Sequence, residues 1–119
     1  MANAAFQVVD ESAPIFPRPA FFSGAKLNFA ENLLFPGCGV DENSTAVIAA
    51  TELDRSRVSW KELRERVREC AAAMKNYVQV GDRVVGYVAN DTNALVAMLA
   101  ATSLGCIWSG IRYTEVRTL

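Results

Sequence analysis

Residues 59–110 read SWKELRERVRECAAAMKNYVQVGDRVVGYVANDTNALVAMLAATSLGCIWSG and alternate between helical and strand patterns. Ser59 and Glu62 form a capping-box pattern, which marks the start of a helix. Gly81 and Asp82 precede a valine-rich run, and Gly105 follows a second apolar segment. The pattern predicts a helix over 60–77, a strand over 83–89, a helix over 92–104 and a strand that begins at Cys106. Alternating helices and strands of this kind are typical of a parallel α/β layer.

The two predicted helices differ in polarity. The first has its apolar residues on one face, at spacings of three and four: Trp60, Leu63, Val67, Cys70, Ala71 and Met74. The second has almost no polar face, because residues 94–101 are all Ala, Leu, Val or Met. We therefore expect the second helix to be buried on most sides, between the sheet and further structure.

The residues before this unit predict an arm and one more strand. Three of the four prolines lie in residues 1–20, where they disfavour both helix and central strand, so we expect an extended arm. Four phenylalanines are expected to anchor it by apolar packing, with ligand contact as the less favoured alternative: Phe16, Phe21, Phe22 and Phe29. The remaining predicted elements are a short helix over 28–34, a polar loop over 37–43, a buried strand over 45–51 and a brief hairpin partner at 57–58. The predicted fold class is α/β, a Pro-rich arm followed by β-α-β-α-β.

The composition excludes several functional classes. The chain has 119 residues, 51% apolar and 21% charged, with a net charge of −1, which is typical of a globular protein and disfavours a nucleic-acid partner. It contains no histidine, so Ser-His and Cys-His catalysis and His-ligated zinc are excluded. Cys38, Cys70 and Cys106 are odd in number and widely spaced, which favours reduced thiols and a cytoplasmic location. We expect no membrane partner, since no signal-peptide pattern and no apolar run of spanning length is seen.

Several polar and glycine residues have a structural explanation beside a functional one. Asp82 lies in a predicted turn and Asp91 among cap-forming residues, so turn formation and capping are favoured over acid–base chemistry or anion binding. Lys26 is expected to pack its stem against aromatic residues rather than bind phosphate. Gly37 and Gly39 form a Gly-x-Gly without the flanking strand and helix that a dinucleotide site requires.

Four segments of the sequence resemble one protein family: FSGAKLNFAENLL at 22–34, VSWKEL at 58–63, GDRVVGY at 81–87 and AMLAATSLGCIWS at 97–109. Together they resemble the N-terminal part of an acyl-CoA synthetase, an acid–thiol ligase of the adenylate-forming superfamily. The first segment is similar to the acetyl-CoA synthetase branch. The details AENLL and IWS are most similar to its acetoacetate-activating members, the acetoacetyl-CoA synthetases. The resemblance covers residues 16–110.

The resemblance implies a division of the chain and a reaction. Residues 1–44 would be an N-terminal arm with a short helix, residues 45–110 the start of the AMP-binding domain and residues 111–119 a divergent tail. The fold would be the incomplete N-terminal part of an adenylate-forming enzyme domain. The implied parent enzyme converts a short acid, ATP and coenzyme A to the acyl-CoA, AMP and pyrophosphate, and acetoacetate is the first candidate for the acid. This is a reaction of lipid and ketone-body metabolism. ATP, magnesium and coenzyme A are the cofactors implied for the parent.

The resemblance implies no catalytic or metal-binding residue in this chain, because the family's phosphate loop, its acidic residues and its catalytic lysine match no segment of it. Only Ser109 and Gly110 would lie near the coenzyme A access route. We therefore expect the isolated 119 residues to be inactive and to bind no cofactor. The partners implied for the full-length parent are the small acid and coenzyme A.

Two features depart from the family pattern: Asp91, where relatives commonly have a neutral or basic residue, and residues 111–119, which match nothing in the family. The divergent residues 111–119 favour a truncated product of a longer gene. The alternatives are a non-catalytic module that associates with a full-length relative through the apolar helix 92–104, or a functionless truncated product. The sequence leaves the acid open between acetoacetate, acetate and another short acid.

Overall fold

The computed structural model describes residues 8–10, 12–37, 39–50 and 55–112. These residues form, in order, α1 (Phe29–Leu34), β1 (Thr45–Ala50), β2 (Arg55–Ser59), α2 (Trp60–Met74), β3 (Arg83–Val88), α3 (Thr92–Ser103) and β4 (Ile107–Arg112). The order confirms the predicted α/β class, and β2 is a full strand where the sequence predicts only a brief hairpin partner. α2 ends earlier than predicted, at Met74, and a turn to Tyr77 follows it.

The strands form two separate two-stranded sheets. β1 and β2 pair antiparallel, with Ile48 opposite Arg57. β3 and β4 pair in parallel, with Gly86 opposite Gly110, and α3 connects them. The prediction of a buried β1 is wrong, because Ile48 is 50% exposed. The apolar run of β1 belongs to a two-stranded hairpin whose main contact is α2, and not to the centre of a covered sheet.

α3 lies at the centre of the packing. It contacts α1, α2, β3 and β4, and its Val96, Leu99 and Ala100 join Leu63 and Val67 of α2 in the core. Asn93 is its one exposed residue, which confirms that this helix is buried on most sides. The alternative that this helix serves as an association surface for a full-length relative is not supported, because α1, α2, β3 and β4 already contact it.

α2 carries all of its charged residues except Arg64 on its exposed side. Ser59 Oγ accepts from the Glu62 N–H at 3.2 Å and caps the helix as predicted. The other half of the predicted capping box does not form, because the Glu62 carboxylate accepts from Arg66 at 2.6 Å instead of from the Ser59 N–H. Arg68 donates to both carboxylate oxygens of Glu65, and this hydrogen bonding lowers the pKa of Glu65.

α1 is tied to both longer helices by hydrogen bonds from side chains to main chain. Asn28 Oδ1 accepts from the Glu31 N–H at 3.0 Å and caps α1, while Asn28 Nδ2 donates to the Ser103 carbonyl of α3 at 3.0 Å. Arg64 of α2 donates its Nε–H to the Leu34 carbonyl at 3.0 Å. Both carbonyls lie at helix ends, where no intrahelical donor is available to them. Asn28 therefore stabilises the C-terminal end of α3 as well as the start of α1, and Arg64 of α2 stabilises the C-terminal end of α1.

The N-terminal arm turns back on itself within its described residues. Val9 pairs with Phe21 in a single antiparallel bridge, so the arm is not extended throughout as predicted. Phe16 is 89% exposed, and Phe21, Phe22 and Phe29 are about half exposed. The predicted anchoring cluster therefore does not form within the part of the arm that the structure describes; residues 1–7 and 11 lie outside it.

The amino-terminal edge of the β3–β4 pair is held by main-chain contacts between two turns. The Gly81 N–H donates to the Gly105 carbonyl at 2.9 Å, and the Ile107 N–H donates to the Asp82 carbonyl at 2.8 Å. Gly81 and Gly105 have φ values of 91° and 77°, a region that favours glycine. Both glycines are thus required by the turns that bring the two strands together.

Candidate functional site

A cleft of about 360 Å³ lies at the carboxyl edge of the β3–β4 pair. Residues 88–91, which end β3 and lead to α3, form one wall. The other walls come from the start of α3 and from β4: Ala94, Leu95, Met98, Trp108, Gly110 and Ile111. Ligands of α/β proteins bind outside the carboxyl ends of parallel strands. This cleft is therefore the candidate site.

Trp108 shapes the floor of the cleft. A Cβ atom on Gly86 would lie 2.2 Å from Trp108 Cη2, so the indole occupies the space that any other residue at position 86 would need. A Cβ atom on Gly110 would lie 3.6 Å from Trp108 Nε1, which is ordinary contact. The indole therefore lies across the two facing glycines, in close contact with one and with room beside the other.

Asp91 is the acidic residue of the cleft, and its position confirms its capping role. Its Oδ1 accepts from the N–H groups of Asn93 and Ala94 at 2.9 and 3.1 Å, at the first turn of α3. The carboxylate takes the position that a bound anion would need at this helix start. The cleft as built disfavours a phosphate group there and suits an apolar or neutral polar ligand.

The structure separates the two residues that the resemblance places near coenzyme A. Gly110 lines the cleft. Ser109 lies opposite Val85 and is exposed, and because side chains alternate along a strand it points to the face away from Trp108. Their contact with coenzyme A stays a prediction, as does the division of the chain at residues 44 and 110.

The other polar candidates lie outside the cleft. Asp82 Oδ2 accepts from the Gln79 N–H at 2.8 Å, which confirms its predicted role in a turn. Lys26 lies on the arm and is exposed.

The cysteines and acidic residues form no metal centre in the described parts of the chain. Cys106 is buried and Cys70 half-buried, and both are free thiols, as predicted; Cys38 lies outside the described residues. Among residues 8–10, 12–37, 39–50 and 55–112, no three His, Cys, Asp or Glu side chains come close enough to hold a metal ion. Within the same ranges, no helix has the length and apolar character needed to cross a membrane.

Sequence reasoning missed Trp108 and Gly86 as a pair. A lone glycine inside a strand signals the close approach of another group, and Gly86 interrupts an otherwise β-branched and aromatic strand. The pairing of β3 with β4, which places Val84 opposite Trp108, was needed to identify that group. Arg64 was also missed: it stacks over Phe35 and Trp60, at 4.9 and 5.6 Å from the ring centroids.

The fold and the matched residues define the class of protein. The family described as AMP-binding enzyme matches residues 38–114, about two thirds of the chain. The chain belongs to this family, and similar proteins within it include acyl-CoA synthetases. The resemblance found in the sequence is thereby confirmed.

Individual relatives show which acyl-CoA synthetases this chain is similar to. The chain is 54% identical over 109 residues to malonamoyl-CoA synthetase vrtB of Penicillium aethiopicum, covering 88% of this chain and 15% of that protein. It is 46% identical over 106 residues to acetoacetyl-CoA synthetase of Gallus gallus, covering 87% and 15%. The solved structure of acetoacetyl-CoA synthetase from Streptomyces lividans matches with a TM-score of 0.72 and 34% identity, over 92% of this chain and 17% of that one. The chain therefore spans about 15% of the length of the curated relatives it matches.

Proposed function

We propose that this chain is the N-terminal segment of a cytoplasmic, ATP-dependent acyl-CoA synthetase that activates a short 3-oxo acid. Acetoacetate is the first candidate for this acid. The parent uses ATP, magnesium and coenzyme A, and the isolated 119 residues are inactive. The observation that carries the proposal is the joint match, in sequence and in structure, to acetoacetyl-CoA synthetases.

The chemistry of the reaction supports inactivity of the segment alone. Formation of an acyl-adenylate with release of pyrophosphate requires groups that hold and neutralise a triphosphate. The candidate cleft presents the Asp91 carboxylate at the start of α3, which repels phosphate. The segment therefore supplies a structural unit beside the reaction, and the catalytic groups come from the rest of the parent.

The names of two relatives narrow the range of candidate acids for the parent enzyme. Acetoacetate and malonamate both carry a carbonyl at the third carbon and differ only in a terminal methyl or amino group. The 54% identity to a malonamoyl-CoA synthetase makes malonamate the second candidate. A site that hydrogen-bonds the amino group would reject the methyl analogue strongly, whereas an apolar site would discriminate weakly.

ATP–pyrophosphate exchange tests the activity and the acid together. We expect no exchange from the 119-residue chain with any acid. A longer product of the same gene should exchange with acetoacetate faster than with malonamate or acetate. Exchange by the short chain would disprove its inactivity, and a longer product that prefers acetate would disprove the 3-oxo acid.

We propose that the access route for coenzyme A in the parent passes Gly110, beside the cleft. The test uses a chimera in which this chain replaces the matching segment of the Penicillium relative. In this chimera, Gly110→Ala adds a methyl group for which there is room beside Trp108. It should raise the KM for coenzyme A more than it changes ATP–pyrophosphate exchange, which precedes thiol transfer. Ser109→Ala is the paired variant, and a larger effect from it would place the route on the opposite face of the strands.

A further inference from the structure

Trp108 carries a hydrogen-bond donor that faces the cleft without an acceptor. Its indole Nε1 would lie 3.6 Å from a Cβ atom on Gly110, and both residues line the cleft. Within residues 8–10, 12–37, 39–50 and 55–112, no oxygen accepts from this N–H, and the nitrogen is not sealed away from solvent. Because a tryptophan N–H usually has a partner once it leaves water, this donor can bind a ligand that enters the cleft.

The facing strand determines where this donor lies. Gly86 pairs with Gly110 across the sheet, and a Cβ atom on Gly86 would overlap Cη2 and Cζ2 of Trp108. The six-membered ring of the indole therefore occupies the space over Gly86, and the five-membered ring with its N–H lies beside Gly110. A donor that is held in place before binding loses less conformational freedom when the ligand arrives.

The rest of the cleft is apolar or uncharged apart from Asp91. Ala94, Leu95 and Met98 of α3 form an apolar wall, and Asn90 adds a neutral amide. The Asp91 carboxylate accepts from the first turn of α3 and repels phosphate. Among the described residues that line the cleft there is no lysine or arginine. The lining therefore favours a ligand segment in which amide groups alternate with apolar groups.

We propose that Trp108 is a specificity-determining residue for the thiol substrate of the parent, because its indole N–H donates to an amide carbonyl in the pantetheine arm of coenzyme A. The inference rests on the proposed access route at Gly110 and is independent of which acid the parent activates. The pantetheine arm is uncharged and alternates amide groups with short apolar segments. All the phosphates of coenzyme A belong to its other half, the nucleotide.

The volume of the cleft fits the arm better than the whole coenzyme. The cleft holds about 360 Å³, near the lower end of the roughly 300–1,000 Å³ of small-molecule sites. The adenine ring is the competing occupant, since an indole also offers a stacking surface. Stacking of the adenine would bring the phosphates of the nucleotide towards the Asp91 carboxylate, so the cleft favours the arm.

Thiol-substrate kinetics in the chimera with the Penicillium relative test this proposal. Trp108→Phe keeps an aromatic ring and removes the N–H. It should raise the KM for coenzyme A at least about five-fold, as expected for one lost hydrogen bond. The KM for pantetheine, which has no nucleotide, should rise by the same factor. ATP–pyrophosphate exchange needs no thiol, so it should stay within about two-fold and show that the variant is folded.

The contrary results are distinct. An unchanged KM for both thiols would show that the N–H does not contact the arm. A rise for coenzyme A alone would place the nucleotide on Trp108, and an equal loss of exchange and thiol transfer would make its role structural. Each result would overturn the proposal. These tests compare thiols in a chimera that retains exchange, whereas the proposed function fails if a longer product of the gene, with Trp108 intact, exchanges with no 3-oxo acid.

A second pair of variants tests how the indole is held. Gly86→Ala moves the indole towards α3 and should raise the KM for both thiols at least about three-fold. When it is combined with Trp108→Phe, which lacks the overlapping ring atoms, the same change should add less than about two-fold to the KM. Ile48→Ala, on β1 outside the cleft, is the control and should leave both KM values unchanged. An equal effect of Gly86→Ala with and without Trp108→Phe would overturn the positioning of the donor by Gly86.

Discussion

α2 and α3 are adjacent helices of similar length that occupy opposite kinds of position. α2 has seven charged side chains among its fifteen residues, all exposed except the half-buried Arg64, whereas α3 has none and is enclosed by α1, α2 and the β3–β4 pair. Each helix is capped by a local side chain, Ser59 or Asp91. The comparison teaches that the distribution of charge around a helix, more than its helix-forming tendency, decides which layer of the fold it enters.

The largest expected effect comes from placing the same charge on each helix. Ala100 of α3 is 0% exposed, and Ala72 of α2 is exposed. Ala100→Glu buries a carboxylate without a partner and should cost about 3–5 kcal/mol of unfolding free energy. Ala72→Glu should change it by less than about 0.5 kcal/mol. Urea denaturation followed by far-UV circular dichroism measures both values.

One result for these two variants would contradict the prediction. If Ala100→Glu and Ala72→Glu lost equal stability, α3 would have as much access to water as α2. The enclosed position of α3 would then be wrong.

The second prediction concerns the close contact between Gly86 and Trp108 in the sheet beneath α3. Gly86→Ala brings a Cβ to 2.2 Å from Trp108, so the indole must move towards α3. Overpacking of this kind costs about 1–3 kcal/mol. Gly110→Ala is the matched control on the facing strand, where the nearest atom is 3.6 Å away. It should cost less than about 1 kcal/mol in the same denaturation experiment.

Tryptophan fluorescence adds an independent reading of the same contact. Gly86→Ala should shift the Trp108 emission, whereas Trp60 is remote from the substitution and reports on α2. An unchanged spectrum together with unchanged stability would show that the indole does not lie against Gly86.

The third prediction concerns the C-terminal end of α3, which is held by a side chain from a distant part of the sequence. The Ser103 carbonyl of α3 accepts from Asn28 Nδ2, which lies 75 residues away in sequence. Asn28→Ala removes this bond and the α1 cap together, and should cost about 0.5–2 kcal/mol. Asn32→Ala is the control, since Asn32 donates only to the Asn28 carbonyl at an exposed site. Equal losses for the two variants would mean that the tie to α3 contributes nothing.

The smallest effect is a pH dependence on the exposed side of α2. The Arg68 hydrogen bond holds the pKa of Glu65 below its ordinary value of 4.5. A carboxyl whose pKa is lower in the folded chain stabilises the fold above the unfolded pKa, and that contribution is lost as the pH falls through the folded pKa. Arg68→Gln should raise the pKa of Glu65 towards 4.5, as read by NMR titration. Arg66→Gln breaks the neighbouring Glu62 pair and should leave the Glu65 titration unchanged.

Local features of the fold could be predicted from the sequence. Helix caps and turns depend on residues within three or four positions, so Ser59, Asp91 and Asp82 were assigned their roles correctly. The burial of α3 followed from its lack of any polar face. These properties are determined by nearest neighbours along the chain.

Features that depend on distant pairing could not be predicted. The apolar run of β1 reads as a buried strand, and only its antiparallel pairing with β2 shows that Ile48 is half exposed. Gly86 signals that something approaches it closely, but the parallel register was needed to show that this is Trp108. The candidate cleft is made by β3, α3 and β4 together, so it was visible only once their arrangement was known.

The pair of turns at the amino-terminal edge of β3 and β4 has a consequence for motion. Gly81 and Gly105 are joined main chain to main chain, while the carboxyl edge opens into the cleft. Breathing of the two strands should therefore begin at Val88 and Arg112 and proceed towards the turns. Amide protons nearest the cleft should exchange with solvent first, and the width of its mouth should fluctuate while the opposite edge stays fixed.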